Sequence, residues 1–131
     1  MAKHNEIGKI GETIVSNFLI RKGFKLITAN YRKKWGEIDL VTLKDKKLHF
    51  VEVKTVSRTS YQGKFPKEIN NYKPEDNMHP WKLQRLSRAV QTYLLDKNVP
   101  EDMDWQFDLV TVYIDQVRRL SKVFILEDIV L

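Results

Sequence analysis

The apolar residues of this chain recur at two spacings, and the order in which those spacings alternate constrains the fold more than any other feature. Over residues 5–22, Ile7, Ile10, Ile14, Val15, Phe18 and Leu19 keep the period of one helix face. Asn5 is placed to cap this helix and Gly23 to stop it. Gly8 and Gly11 lie inside it, each costing about 1 kcal/mol relative to alanine. Both sit within or beside the apolar stripe, which predicts a neighbour packed close against them. Glu12 lies at the border of the same stripe. Residues 24–29 read as a short strand, and residues 38–43 and 48–54 as two strands rich in Val, Ile, Leu and Phe. The polar turn Lys44-Asp45-Lys46-Lys47 between them predicts an antiparallel hairpin.

Residues 57–80 form a long polar connection with Gly63, Pro66, Pro74 and Pro80, and a connection of that length is usually functional or mobile. Helical spacing then returns over residues 80–95. Leu83, Leu86, Val90, Tyr93 and Leu94 form the buried stripe, and Pro80 suits the first turn. After an acidic linker, residues 105–114 alternate as a strand, and residues 120–126 form a last strand at an edge. The expected order is helix, three strands, helix, two strands, an α/β arrangement. At 131 residues the chain fits one domain, residues 1–131, with a single core.

Hydrophobic residues at 42% and charged residues at 31% exclude wholesale disorder. No apolar run approaches the roughly 20 residues that span a bilayer. The chain has no cysteine, which excludes disulfides, thiolate zinc sites and cysteine nucleophiles and fits a reduced, cytoplasmic compartment. The N-terminus leads into an amphipathic segment rather than the apolar core of a signal peptide. The formal charge is +6, unevenly spread: residues 1–64 carry 14 of the 23 Lys and Arg but only six of the 17 Asp and Glu. A basic half suggests a polyanionic partner, most simply nucleic acid or an acidic membrane surface; the alternative is a soluble protein with an excess of surface lysine. The acids inside that half therefore become the question.

In Phe50-Val51-Glu52-Val53-Lys54, period two places Phe50, Glu52 and Lys54 on one strand face. Asp39, within Gly36-Glu37-Ile38-Asp39-Leu40, lies across the hairpin from them. The pattern acidic–any–lysine alone carries nothing, because a chain of this composition holds about two by chance. Its place on an apolar strand opposite an aspartate is what counts. Two converging carboxylates would suit a hard cation, Mg²⁺ or Mn²⁺, whose bound water can ionise and attack a phosphorus. Lys54 would orient that water or stabilise the developing oxyanions. Glu12 would supply a further ligand or hold a metal-bound water. The alternative on these residues alone is a cross-strand salt bridge on a half-solvated sheet.

Gly8-Lys9-Ile10-Gly11-Glu12, Asn30-Tyr31-Arg32, Gly36-Glu37-Ile38-Asp39 and Phe50-Val51-Glu52-Val53-Lys54-Thr55 follow one another in order. Gly63, Pro66, Lys82 with Arg85-Leu86, Ala89, Tyr93-Leu94 and Phe107-Asp108 come after them. With this series the chain resembles the YraN-like family of small uncharacterised proteins. That family lies within the restriction-endonuclease-like PD-(D/E)XK superfamily and is similar in layout to archaeal Holliday junction resolvases. The resemblance covers residues 4–114. It implies a restriction-endonuclease-like fold with a central mixed sheet of about five strands flanked by helices, a divalent metal, and often a homodimer. By position it implies Asp39 and Glu52 as metal ligands, Lys54 as the catalytic lysine and Glu12 as the helix-borne acid of the site. Val56 and Gln106 depart from it, standing where arginines are usual, and residues 72–79 make a longer connection than usual. None of these departures touches the four core residues.

The expected activity is metal-dependent hydrolysis of nucleic-acid phosphodiesters on branched, flap or single-stranded substrates, with DNA favoured over RNA through the resemblance. Arg32, Lys33, Lys34, Arg58, Lys64, Lys82 and Arg85 are the candidate phosphate contacts, among aromatic residues such as Tyr31, Trp35, Tyr61 and Phe65. For residues 31–35 the competing expectation is aromatic packing beneath a basic rim, or a dimer contact. His4, His49 and His79 lack metal-ligand spacing, and Asp108 reads as a structural hydrogen-bond acceptor. No Ser–His–Asp arrangement, P-loop or dinucleotide fingerprint competes. The alternatives are a noncatalytic nucleic-acid-binding module of the same fold and a dimeric interaction protein. No membrane partner is expected.

Overall fold

A computed structural model describes residues 4–58 and 79–131. The elements are α1 (His4–Arg21), β1 (Lys25–Lys33), β2 (Gly36–Lys44), β3 (Lys47–Arg58), α2 (Pro80–Asp96), β4 (Asp104–Asp115) and β5 (Leu120–Leu126). They form one five-stranded sheet in the order β1-β2-β3-β4-β5. Only the β3–β4 pair is parallel, and the chain reaches it through α2. A mixed sheet with a helix on each face is the restriction-endonuclease-like layout that the sequence led us to expect. No helix among the described residues is long and apolar enough to cross a membrane.

Alternation along the strands sorts the core into two layers. Val15 and Leu19 of α1 pack on Leu40, Val51, Val110 and Val112. Leu86, Ala89, Val90 and Tyr93 of α2 pack on the opposite face, against Ile38, Val41, Leu48, Phe50 and Phe107. Gly23 ends α1 at a φ of 97°, and the Phe24 N–H returns to the Leu19 carbonyl at 3.0 Å. Gly11 has the close neighbour expected of it, since a Cβ there would overlap the Thr55 side chain. Gly8 does not: among the described residues nothing lies within 4 Å of the position its Cβ would take. The helix also starts at His4, which puts Asn5 inside the first turn rather than at its cap.

β1 runs on through Asn30-Tyr31-Arg32-Lys33, beyond the residue 29 expected as its end. Cross-strand partners explain the extension. Arg32 lies opposite Glu37 and its Nε meets Oε2 at 3.0 Å, while Tyr31 stacks edge-on against Tyr93 at 5.1 Å. β3 likewise continues to Arg58, because parallel β4 supplies a partner along its whole length. The expected connection over residues 57–80 falls largely outside the described residues.

The feature that positions the site is a fault in β2. Regular alternation would put Ile38 and Leu40 on one face, yet Ile38 packs in the α2 layer and Leu40 in the α1 layer. Pairing of β2 with β3 stops at Leu40–Val51. Asp39 is the first residue beyond the last pair, and Glu52 stands across from it.

Candidate active site

Where β2 leaves β3, the Val53 N–H loses its strand partner and donates instead to Asp39 Oδ2 at 2.8 Å. This bond holds the Asp39 side chain between the parting strands, only 6% exposed. Asp39 also stands close to Glu52, which opposes its ionisation. Two carboxylates held that close favour the form in which one keeps its proton. Burial first, and then the Glu52 hydrogen bond and charge, push Asp39 up to about 8, against the smaller opposing pulls of the Val53 N–H and of Lys82. Glu52 lies on the α2 face of β3, and its Oε2 is 3.3 Å from Lys82 Nζ.

Glu12 comes from α1, on the other face of the sheet. Its carboxyl is raised above the usual range, mainly by burial and next by the charge of Asp39; a hydrogen bond from Asn30 opposes the shift. Asn30 reaches it from a left-handed backbone, φ 55°, a conformation asparagine tolerates better than most residues. Glu12 and Glu52 line separate hollows of about 360 Å³ each, one against Asn30 and Leu40, the other against Trp81 and Lys82. Asp39 acts electrostatically on Glu12 and is itself acted on by Glu52, and so links the two hollows. Among the described residues no group of three His, Cys, Asp or Glu side chains is placed to hold a metal together. Lys54 falls on the Glu52 side of β3 by alternation and is exposed.

Chemically, the Asp39–Glu52 pair offers hard oxygen donors whose retained proton a divalent cation would replace, so the residues present fit Mg²⁺ or Mn²⁺. The basic flank is more committed to structure than the sequence suggested. Arg32 pairs with Glu37, and Lys33 Nζ lies 3.9 Å from Asp96. Arg85 Nε donates to the Trp35 carbonyl at 3.1 Å. Trp35 donates to Thr92 Oγ1 at 3.2 Å and lies under the Arg88 guanidinium, 4.5 Å from its ring centroid. This is the packed aromatic floor weighed above for residues 31–35. Lys34 is exposed, Arg58 ends β3, and Lys64 lies outside the described residues. His79 precedes α2 at the rim of the Glu52 hollow, whereas His49 is buried with its Nδ1 2.8 Å from Asp108 Oδ2.

Two participants escaped the sequence reading in their actual roles. Lys82 appeared as a phosphate contact, and the structure sets it against Glu52. Its spacing from Arg85 on one helix flank was visible, but which strand that flank would face was not. Asn30 was visible only as part of a basic aromatic stretch.

A family model described as Uncharacterised protein family UPF0102 matches residues 11–112, a span that contains Glu12, Asp39, Glu52, Lys54 and Lys82. A UPF0102 protein of Flavobacterium psychrophilum is 33% identical over 128 residues, covering 98% of this chain and 96% of that protein. One from Alkaliphilus metalliredigens is 36% identical over 117 residues, covering 89% and 93%. One from Caldicellulosiruptor bescii is 30% identical over 124 residues, covering 94% and 95%.

Proposed function

We propose that this chain, which belongs to the uncharacterised protein family UPF0102, the YraN family, is a nuclease that uses Mg²⁺ or Mn²⁺ to hydrolyse phosphodiester bonds in branched, flap or single-stranded DNA. The observation that carries this reading is Asp39, buried where β2 parts from β3 and held by the Val53 N–H, with Glu52 of the facing strand beside it. Holding two carboxylates together away from water is costly, and such pairs cluster at sites where a proton or a cation is handled.

Asp39 and Glu52 would hold the cation, which when bound supplies a water made acidic enough to ionise near neutral pH. The rest falls to side chains already in place. Lys54 and Lys82, on the Glu52 side, attract and orient a phosphate and stabilise charge growing on its oxygens. Glu12, whose proton affinity burial and the Asp39 charge raise, suits a group that accepts a proton.

A noncatalytic nucleic-acid-binding module is the second reading, favoured by the lack of a third acid in the group among the described residues. Cleavage of a panel of branched, flapped, single-stranded and linear DNAs, with Mn²⁺ and with chelator, separates the two. We expect Mn²⁺-dependent cleavage that falls at least about a hundredfold in Asp39→Ala and in Glu52→Ala. Cleavage that persists equally in both variants overturns the enzyme reading.

A further inference from the structure

Trp81 is the large apolar side chain that the pair's hollow leaves in the open. It stands in the first turn of α2, 57% exposed, on the rim of the cleft lined by Glu52, Lys82, His79 and Arg85. Its fellow tryptophan on this side, Trp35, is tied by its indole N–H to Thr92 and covered by Arg88. For Trp81 the described residues supply one ring contact, the Arg85 guanidinium 5.7 Å from the ring centroid. Arg85 is itself fastened by its bond to the Trp35 carbonyl, so the indole has a rigid support and most of its surface faces water.

We infer that Trp81 is a stacking shelf for one unpaired nucleobase, seated so that the adjoining phosphate enters the cleft beside Lys82 and the Asp39–Glu52 pair. The inference rests on the nuclease reading for what happens in the cleft, but not for the binding itself. An exposed indole backed by guanidinium is the surface on which splayed bases stack, whatever their sequence. Within a duplex each base has its faces covered by neighbouring pairs, so only a single-stranded, flapped or frayed nucleotide can use the shelf. The surroundings suit the phosphate too. The first turn of α2 contains no acidic residue, and Lys82, paired with Glu52, brings an ammonium to the positive end of the helix. The subsite therefore selects the substrate by strand state rather than by sequence.

The full-length protein in chelator, titrated with a labelled oligothymidylate and with a duplex of equal length, tests this without requiring catalysis. Trp81→Ala should weaken single-strand binding about tenfold and duplex binding less than about twofold, and Trp81→Phe should restore most of the single-strand affinity. Equal losses on both ligands, no loss on either, or a change in self-association with unaltered nucleic-acid binding would each overturn it. Metal-dependent cleavage by the wild-type chain, followed alongside, decides the nuclease reading separately. A selective single-strand loss in a chain that cleaves nothing keeps the shelf and removes the nuclease.

Discussion

Asp39 concentrates the residue-scale physics. Folded, it keeps a proton up to about pH 8, whereas in the unfolded chain it ionises near the ordinary aspartate value of about 4. Between those limits the unfolded state releases a proton that the folded state retains, so rising pH favours unfolding until the folded carboxyl also ionises. The metal-free protein should therefore lose melting temperature from about pH 5 to about pH 8, and Asp39→Asn should flatten that part of the profile. Identical profiles for wild type and variant would show that folded Asp39 does not retain its proton. A bound cation reverses the trend, because it takes the place of the proton, and its affinity should rise with pH through the same window. Isothermal titration with Mn²⁺ at several pH values checks this.

At the scale of elements, the two helix glycines that looked equivalent in the sequence divide. Gly11 lets α1 settle onto β3, where a methyl group would drive into Thr55. Gly8 has open space beyond it among the described residues. Gly11→Ala should destabilise the fold by about 1–3 kcal/mol, as overpacking does, even after its gain in helix propensity. Gly8→Ala should be neutral or stabilise by up to about 1 kcal/mol. Chemical denaturation of both variants reads the difference directly. A further consequence concerns Glu12, one residue beyond Gly11. Lifting α1 from the sheet also moves Glu12 away from Asp39, so Gly11→Ala should depress any metal-dependent activity more than its loss of stability explains.

At the scale of the whole molecule, Asp108 ties the far side of the sheet together. Its Oδ2 meets His49 of β3, and its Oδ1 accepts from Gln106 at 2.7 Å and from the Asp128 N–H at 2.9 Å. The Ile129 N–H then bonds the Phe107 carbonyl at 2.8 Å, which draws Ile129 and Leu131 against the α2 layer. β3, β4 and the C-terminal segment thus share one buried carboxylate. Asp108→Ala leaves three donors without their acceptor and should cost about 3 kcal/mol or more. Hydrogen exchange should show protection lost first in residues 127–131. The expectation that Asp108 is a structural acceptor holds, and so does that of His49 on a sheet face.

The sequence by itself determined the elements, their order and the four charged positions worth watching. Local periodicity and turn chemistry are properties of neighbours in the chain, and Glu52-Val53-Lys54 on an apolar strand breaks the pattern visibly. It also held the basic, aromatic stretch 30–33, but not that this stretch would be strand, since that depended on Glu37 and Tyr93 as partners. Only the tertiary structure decided how the acids combine. The break between β2 and β3 brings Asp39 beside Glu52, while α1 sets Glu12 on the opposite face and α2 carries Lys82 onto Glu52. A carboxylate's behaviour is set by burial and by charges within a few ångströms, and those neighbours come from elements far apart in the chain.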